Sequence, residues 1–146
     1  MASKSSESER HRRTRNDHAT ETAEDYVEAI AEIEESEGDC RLVDLASRFA
    51  VSHVTVNRIV ARLEREGLVK TVPYKPVSLT VKGRQLATRC RKRHQIVLQF
   101  LLSIGVDQET AEIDAEGIEH HVSSATLRKF QSLTEERSAE ARDDEC

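Results

Sequence analysis

Apolar residues recur at helical spacing along most of the chain. They form one stripe over about residues 20–37 and a second, shorter stripe over residues 42–50. Ser52 is a favourable N-cap for a third helix, which Gly67 ends. Residues 68–80 then change to β-branched residues with two prolines, which is typical of a short hairpin with its prolines at edges and turns. The pattern predicts three helices followed by a β-hairpin.

The second half of the chain also has a helical pattern. Thr80 is the predicted N-cap of a long helix that reaches about Ser103, Asp107 caps the next helix, and Ser123 caps a last one that reaches about Ala141. These helices carry more apolar side chains than two or three short helices can bury among themselves, which favours a dimer interface. The apolar residues are Leu98, Leu101, Leu102, Ile118, Val122, Leu127, Phe130 and Leu133.

Charge divides the chain into a basic centre and acidic flanks. Residues 41–93 hold 13 Lys and Arg against 3 Asp and Glu, whereas residues 21–40 hold 9 acidic residues and no basic one. Residues 94–146 hold 4 basic residues against 12 acidic ones. A surface that meets phosphates requires such a concentration of positive charge in an otherwise acidic chain, so the centre favours nucleic acid as a partner.

Three helices, a hairpin and basic charge together predict a winged helix-turn-helix that binds double-stranded DNA. Residues 52–66 would form the recognition helix in a major groove, and two symmetric copies would read a palindromic operator as a homodimer. The alternative is a helical pair that only packs or binds protein. The predicted DNA contacts lie off the core stripe of this helix or on the wing: Ser52, His53, Thr55, Asn57, Arg58, Arg62, Lys70 and Lys75.

Composition argues against several other classes of protein. The sequence contains no apolar run of about 18 residues and no apolar signal segment, which predicts a cytoplasmic protein without a membrane span. The three cysteines are scattered, which argues against a disulfide framework and against a CxxC metal site. A chain of 146 residues is also short for a large catalytic architecture, so no small organic substrate is expected.

The run DAEGIEHHVS, residues 114–123, concentrates carboxylates and imidazoles in a predicted helix. Glu116, Glu119 and His120 stand at positions i, i+3 and i+4, so their side chains share a face and can reach a common point. Two carboxylates and one imidazole suit a divalent cation. The alternative is a solvated acidic helix face.

Five segments carry a more specific signal. They are DYVEAI (25–30), VSHVTVNRIVARLEREGLV (51–69), LTVKG (79–83), RHQIVLQFLLSIGV (93–106) and DAEGIEHH (114–121). In this order and spacing they resemble the manganese transport regulators, the manganese branch of the diphtheria-toxin-repressor family of transcriptional regulators. The resemblance covers about residues 20–135 and implies that the chain is not an enzyme. It also implies six metal ligands, which are Asp25, Glu28, His94, Glu116, Glu119 and His120.

The resemblance implies a Mn(II)-activated repressor of manganese uptake genes with one or two ions per subunit, and it leaves open whether the protein also activates efflux. The chemistry of the six residues agrees, because carboxylates and imidazoles form a hard donor set and no thiolate is present to favour softer ions. The iron branch has sulfur-bearing residues where Asp25 and Glu116 stand. The family often has proline at the position of Val54 and glycine at that of Pro76, so the DNA sequence preference can differ.

The predicted fold is mainly α: an N-terminal winged helix-turn-helix with a small β-hairpin wing, followed by an all-α dimerisation domain. The predicted boundaries are a disordered tail over 1–19, the DNA-binding domain over 20–82, a helical metal-binding and dimerisation domain over 83–141, and a charged tail over 142–146. Three alternatives remain open: a regulator that responds to Fe(II) or Zn(II), one that responds to thiol oxidation, and a small metallohydrolase, against which the absence of an HExxH motif argues.

Overall fold

The structure is a computed structural model that describes residues 4–145, with side chains from residue 7 onwards. Over this range the elements, in chain order, are α1 (Lys4–Glu37), α2 (Leu42–Phe49), α3 (His53–Arg65), β1 (Val69–Lys70), β2 (Ser78–Leu79), α4 (Val81–Ser103), α5 (Gln108–Ile118) and α6 (Ser124–Asp144). The prediction of a mainly α chain with one small hairpin is confirmed. No described helix combines the length and apolarity that crossing a bilayer requires.

The chain divides into two compact units, one up to Arg89 and the other from Cys90, so the boundary falls inside α4. The core of the first unit is built by the apolar stripes of its helices. Val27 and Ile30 of α1 and Leu63 of α3 are buried there. The apolar face that each helix buries agrees with the periodicity of the sequence.

The turn between α2 and α3 has the local chemistry of a helix-turn-helix. Ala50 adopts a left-handed conformation at the end of α2, and the Val51 amide donates to the Ala46 carbonyl at 3.1 Å. Ser52 then caps α3, because its hydroxyl accepts a hydrogen bond from the Thr55 amide at 3.2 Å. These caps fix where α3 begins, and therefore which residues its first turn presents.

The wing is a two-stranded antiparallel sheet in which Val69 pairs with Leu79, and Lys70 pairs with Ser78. Val69 and Leu79 point into the core, while Lys70 and Ser78 are exposed. The Val77 amide also donates to the Cys40 carbonyl at 2.8 Å, which ties the second strand to the segment between α1 and α2. The hairpin is short, but the burial of Val69 and Leu79 and the hydrogen bond from Val77 hold it against the rest of the first unit.

The second unit has a small core of its own. Val97 of α4 and Ala115 of α5 are fully buried, and Phe100 stacks on Phe130 with ring centroids 4.1 Å apart. Asp107 and Ser123 cap α5 and α6 as the sequence predicted. Several predicted interface residues are only partly covered within the unit. They are Leu98, Leu102, Ile118, Val122, Phe130 and, with 42% exposure, Leu133.

The predicted disordered tail over 1–19 and the predicted charged tail over 142–146 lie only partly within the described residues, because residues 1–3 and 146 fall outside them. The structure has α1 beginning at Lys4, and residues 7–19 are exposed along this helix. They contain no glycine or proline, and they precede a helix that is already held by core packing. Adding residues to an existing helix does not carry the cost of nucleation, so a polar segment can extend it without burying a face of its own.

Candidate metal centre and DNA-binding surface

Three of the predicted ligands converge in the second unit. The His94 Nδ1 atom of α4 lies 3.0 Å from a carboxylate oxygen of Glu119 and 3.7 Å from one of Glu116. One ligand atom from each of the three residues lies within 4.8 Å of the other two. A divalent cation needs donor atoms at about this mutual spacing, so the geometry of this cluster fits a metal centre.

Glu119 is the most unusual member of the cluster because its side chain is only 1% exposed. A carboxylate removed from water requires opposite charge, hydrogen bonds or a cation nearby. The Nε2 atom of His120 lies 3.4 Å from the other Glu119 oxygen, so imidazoles face this carboxylate on both of its oxygens. Carboxylate and imidazole together form the donor set that hard divalent cations accept.

The helix that carries these residues ends earlier than the sequence predicted. α5 ends at Ile118, Glu119 is its C-cap with helical dihedral angles, and His120 lies in the following turn. Glu116 and Glu119 therefore keep their one-turn relation, whereas His120 reaches Glu119 from outside the helix. The carbonyl of Glu119, which would accept from the amide of residue 123 if the helix continued, accepts hydrogen bonds from another residue.

That residue is Arg93, immediately before His94 in α4. Its Nε and Nη2 atoms donate to the Glu119 carbonyl at 2.9 and 2.6 Å, and Nη2 also donates to the Val122 carbonyl at 2.7 Å. A cation at a helix C-terminus satisfies unpaired carbonyls and interacts favourably with the helix dipole. Arg93 thus fixes the backbone of Glu119 relative to α4. Arg93 lies in the RHQIVLQFLLSIGV segment, but no local pattern predicts this contact, because it joins residues 26 positions apart.

Asp25 and Glu28, the two remaining predicted ligands, lie half-buried on α1 in the first unit. The convergence of all six residues therefore stays a prediction. Glu21, one turn before Asp25, is also half-buried, and Glu24 is buried to 8% exposure. Glu21, Asp25 and Glu28 stand at i, i+4 and i+7, so their spacing could have identified Glu21 as a further member of this acidic face.

The predicted DNA contacts lie on α3 and on the wing. Ser52, His53, Asn57, Arg58, Lys70 and Lys75 are exposed, whereas Thr55 and Arg62 are half-buried. In the first turn, the Ser52 hydroxyl is used as the cap and lies 3.1 Å from the Thr55 hydroxyl. Arg58 projects from the following turn. The exposed face of α3 therefore presents polar and basic groups together, as a helix in a major groove does.

Arg62 has partners within the fold. Its Nη2 atom donates to the Ala19 carbonyl at 2.8 Å, and its Nε atom lies 3.5 Å from a carboxylate oxygen of Glu66. These contacts join the last turn of α3 to α1 and leave less of the guanidinium for a ligand. Among the predicted DNA contacts of α3, Arg58 therefore has the clearer access to a phosphate or a base edge.

The described cysteines give no support to a thiol sensor. Burial, reinforced by the nearby Asp44 carboxylate, raises the pKa of the Cys40 thiol to about 12. Because the thiolate is the reactive form, a thiol with this pKa is unreactive near neutral pH. Cys90 is also buried.

Comparisons with known proteins agree with this description. The N-terminal DNA-binding domain of the iron-dependent repressors matches residues 18–77, and the metal-binding and dimerisation domain of the same family matches residues 80–143. A transcriptional regulator MntR from Escherichia coli O6:H1 is 44% identical over 128 residues, which cover 88% of this chain and 83% of the relative. MntR from Bacillus subtilis is 35% identical over 116 residues, covering 80% and 82%.

Solved structures show the same fold. A manganese-dependent transcriptional repressor in complex with manganese superimposes with a TM-score of 0.68 at 29% identity, and the manganese regulator SloR does so with 0.66 at 27%. The superpositions cover 77% and 76% of this chain but only 52% of each solved chain, so this chain matches about half the length of those proteins. The chain belongs to the iron-dependent (diphtheria-toxin-type) repressor family of metal-dependent DNA-binding transcriptional regulators, in its manganese-regulator branch, and this family is not enzymatic.

Proposed function

We propose that this chain is a Mn(II)-activated repressor that acts in the cytoplasm on manganese uptake genes. It binds a palindromic operator as a homodimer and takes one or two Mn(II) ions per subunit and no small organic substrate. The observation that carries this proposal is the cluster of His94, Glu116 and Glu119 in the domain that follows a winged helix-turn-helix. Its oxygen and nitrogen donors suit manganese.

The proposed metal ligands are the six residues named from the family motifs: Asp25, Glu28, His94, Glu116, Glu119 and His120. The short distances from Glu119 to both histidines and from His94 to Glu116 support the four members in the second unit. Their donor types do not by themselves select manganese, because Mn²⁺ lies at the weak end of the divalent series. Selectivity then depends on coordination number and on which metals are available, so Fe(II) and Zn(II) are the competing activators.

The proposed coupling rests on where the ligands lie along the chain. Asp25 and Glu28 belong to the unit that contains α3, whereas the other four belong to the second unit. Without a cation, carboxylates that lie close together repel one another. This repulsion favours conformations that separate them, or protonation of one of them. The metal supplies the positive charge that offsets this repulsion. A cation bound by ligands from both units therefore makes the fraction of molecules in a DNA-binding conformation depend on the metal.

Homodimerisation is supported by the apolar residues that the second unit leaves partly uncovered, including Leu98, Leu102 and Leu133. Ile113 of α5 adds another apolar side chain, with 67% of its surface exposed. Exposed apolar surface of this kind typically marks a protein interface. A symmetric pair would then present two copies of α3, as a palindrome requires.

The proposal is tested by titrating operator binding with each metal. The probe is a DNA duplex selected from a random pool by the protein in MnCl₂, and its binding is followed by fluorescence anisotropy with Mn²⁺, Fe²⁺ and Zn²⁺ in turn. Mn²⁺ should activate DNA binding at concentrations at which Fe²⁺ and Zn²⁺ do not. Activation by Fe²⁺ or Zn²⁺ but not by Mn²⁺ would mean that the protein is a metal-dependent regulator with a different activating metal. DNA binding that is independent of all three metals would contradict the proposal.

Arg58→Ala tests the recognition helix. Removing an exposed guanidinium that contacts a base or phosphate should weaken binding to the selected duplex by about 1–3 kcal/mol, with Mn²⁺ affinity unchanged. Arg128→Ala is the matched control, because Arg128 is also an exposed arginine, on α6. Isothermal titration of metal and anisotropy of DNA separate the two affinities. Unchanged DNA affinity in Arg58→Ala would remove this residue from the DNA surface.

Arg93→Ala tests whether the Glu119 backbone must be held for metal binding. The variant loses three hydrogen bonds to carbonyls, and it should bind Mn²⁺ roughly 10–100-fold more weakly, as outer-shell changes commonly do. Arg93→Lys should recover only part of the affinity, because an ammonium cannot reproduce the planar fork. Lys92→Ala removes the neighbouring exposed charge and serves as the control. Equal weakening in Lys92→Ala would mean that net charge, rather than the carbonyl contacts, sets the affinity.

A further inference from the structure

The tip of the wing is a tight turn with an unusual residue at its third position. The Lys75 amide donates to the Val72 carbonyl at 3.0 Å, which closes a four-residue turn over Val72, Pro73, Tyr74 and Lys75. Proline at the second position and a positive φ at the third are the marks of a type II turn, whose third residue is normally glycine or asparagine. Here that residue is Tyr74, with a φ of +64°.

Folding gains nothing from a tyrosine at this position. A left-handed conformation is strained for a residue with a Cβ, and a bulky residue in this region is uncommon. The side chain is also fully exposed, so its ring buries no surface within the chain that the structure describes. Glycine would remove the strain and would lose no packing. Strain that the fold does not require is a reason to look for a function at that residue.

The wing holds Tyr74 in a fixed relation to the recognition helix. The Thr71 hydroxyl donates to Glu64 of α3 at 2.7 Å, and the Thr71 amide donates to the same carboxylate at 3.4 Å. Pro73 and Pro76 restrict the backbone on either side of the tip. Because the backbone that carries the ring is restricted, binding has to order only the side-chain torsions of Tyr74, which makes it an effective contact residue.

We propose that Tyr74 is a specificity-determining residue that enters the minor groove of the operator beside the major groove read by α3. This inference rests on the proposed binding of DNA. Lys70 and Lys75 are exposed on the same wing, and their charges favour a phosphate backbone over an apolar protein surface. In the minor groove the ring packs against sugars and base edges, and the phenol hydroxyl donates to the N3 or O2 acceptors that adenine and thymine present there.

The first test uses Tyr74→Gly, because this variant separates folding from binding. Its melting temperature should equal or exceed that of the wild type, since the strain is relieved. Its affinity for the selected duplex at saturating MnCl₂ should nevertheless fall about tenfold, and Tyr74→Phe should show an intermediate loss. Wild-type affinity in Tyr74→Gly would overturn the proposal. If the wild type itself fails to bind any duplex with Mn²⁺, the proposed function fails instead.

The second test asks which groove the ring contacts. Footprinting identifies the A·T pairs near the ends of the duplex that the wild type protects from cleavage and Tyr74→Gly does not. Each of these pairs is then replaced in turn by I·C or by G·C. Inosine keeps the minor-groove pattern of A·T, whereas guanine adds an amino group there. Wild-type binding should survive I·C and fall with G·C, and Tyr74→Gly should be indifferent to both. Equal losses with I·C and G·C would place the contact in the major groove, and indifference of the wild type to both would remove Tyr74 as a specificity residue; either result contradicts the proposal.

Discussion

Glu119→Gln is expected to abolish metal-dependent binding of DNA, although residue 119 and the recognition helix belong to different compact units. Glutamine keeps the volume of the side chain but removes the negative charge that faces His94 at 3.0 Å and His120 at 3.4 Å. The affinity for Mn²⁺ should fall by at least about 100-fold, beyond the usual effect of changing an outer-shell partner. The variant should therefore bind the selected duplex like the metal-free wild type.

The size of the DNA effect follows from linkage. A typical coupling free energy of about 1–3 kcal/mol between two sites corresponds to a roughly 5–150-fold difference in DNA affinity with and without metal, and Glu119→Gln should lose this difference. The same coupling requires the duplex to tighten Mn²⁺ binding in the wild type by an equal factor. Titrating metal calorimetrically with and without duplex, for both proteins, measures the factor from both directions.

Two controls keep this experiment specific. Glu109→Gln removes an exposed carboxylate from the first turn of the same helix and should leave metal and DNA binding unchanged. Sedimentation velocity should show the same dimer for the wild type and both variants. A Glu119→Gln protein that keeps the metal dependence of the wild type would return Glu116 and Glu119 to the status of an acidic helix face.

Much of the fold could be predicted because its signals are local. Ser52, Asp107 and Ser123 each accept the hydrogen bond from the amide three residues later that an N-cap accepts. Such caps depend on a few adjacent residues, and the apolar stripes of helices depend on spacing alone. The order of helices and the hairpin was therefore evident from the chain.

The parts that escaped prediction depend on neighbours far along the chain or on a helix already formed. The start of α1 at Lys4 left no apolar stripe in the sequence, because the first residues of this helix extend a helix that other residues nucleate. The end of α5 escaped because Arg93, 26 residues earlier, takes the Glu119 carbonyl. Neither effect leaves a periodic signal in the residues concerned.

The candidate metal centre was predicted in part by physical reasoning and in part by resemblance. Spacing alone placed Glu116 and Glu119 on one helix face, and the structure brings His94 to them. Nothing in the local pattern could have connected His94 to residues more than twenty positions later, since that contact depends on how α4 and α5 pack. The family motif supplied this long-range information.

Gly83 is part of the LTVKG segment, but its physical role in the fold could not be predicted from that segment. It lies in the first turn of α4, directly against the backbone of Leu68. A Cβ built on Gly83 would lie 2.1 Å from the Leu68 carbonyl oxygen and 3.2 Å from a methyl carbon of Leu79. The same Leu68 carbonyl accepts a hydrogen bond from the Thr80 amide at 3.0 Å, so it cannot move without disturbing the start of α4.

Gly83→Ala should therefore destabilise the protein by about 3 kcal/mol, the upper part of the range for overpacked sites. For a chain of this size, that corresponds to a melting temperature lower by roughly 6–12 °C. The sign of the change in stability is informative, because replacing glycine by alanine inside a helix normally stabilises a protein by about 0.5–1 kcal/mol.

Gln85→Ala, at an exposed position on the same helix, is the control and should change the melting temperature little. Thermal unfolding by circular dichroism in metal-free buffer measures both variants. A Gly83→Ala protein as stable as the wild type would mean that α4 can shift away from Leu68, and that the close approach of the two backbones is not required for the fold.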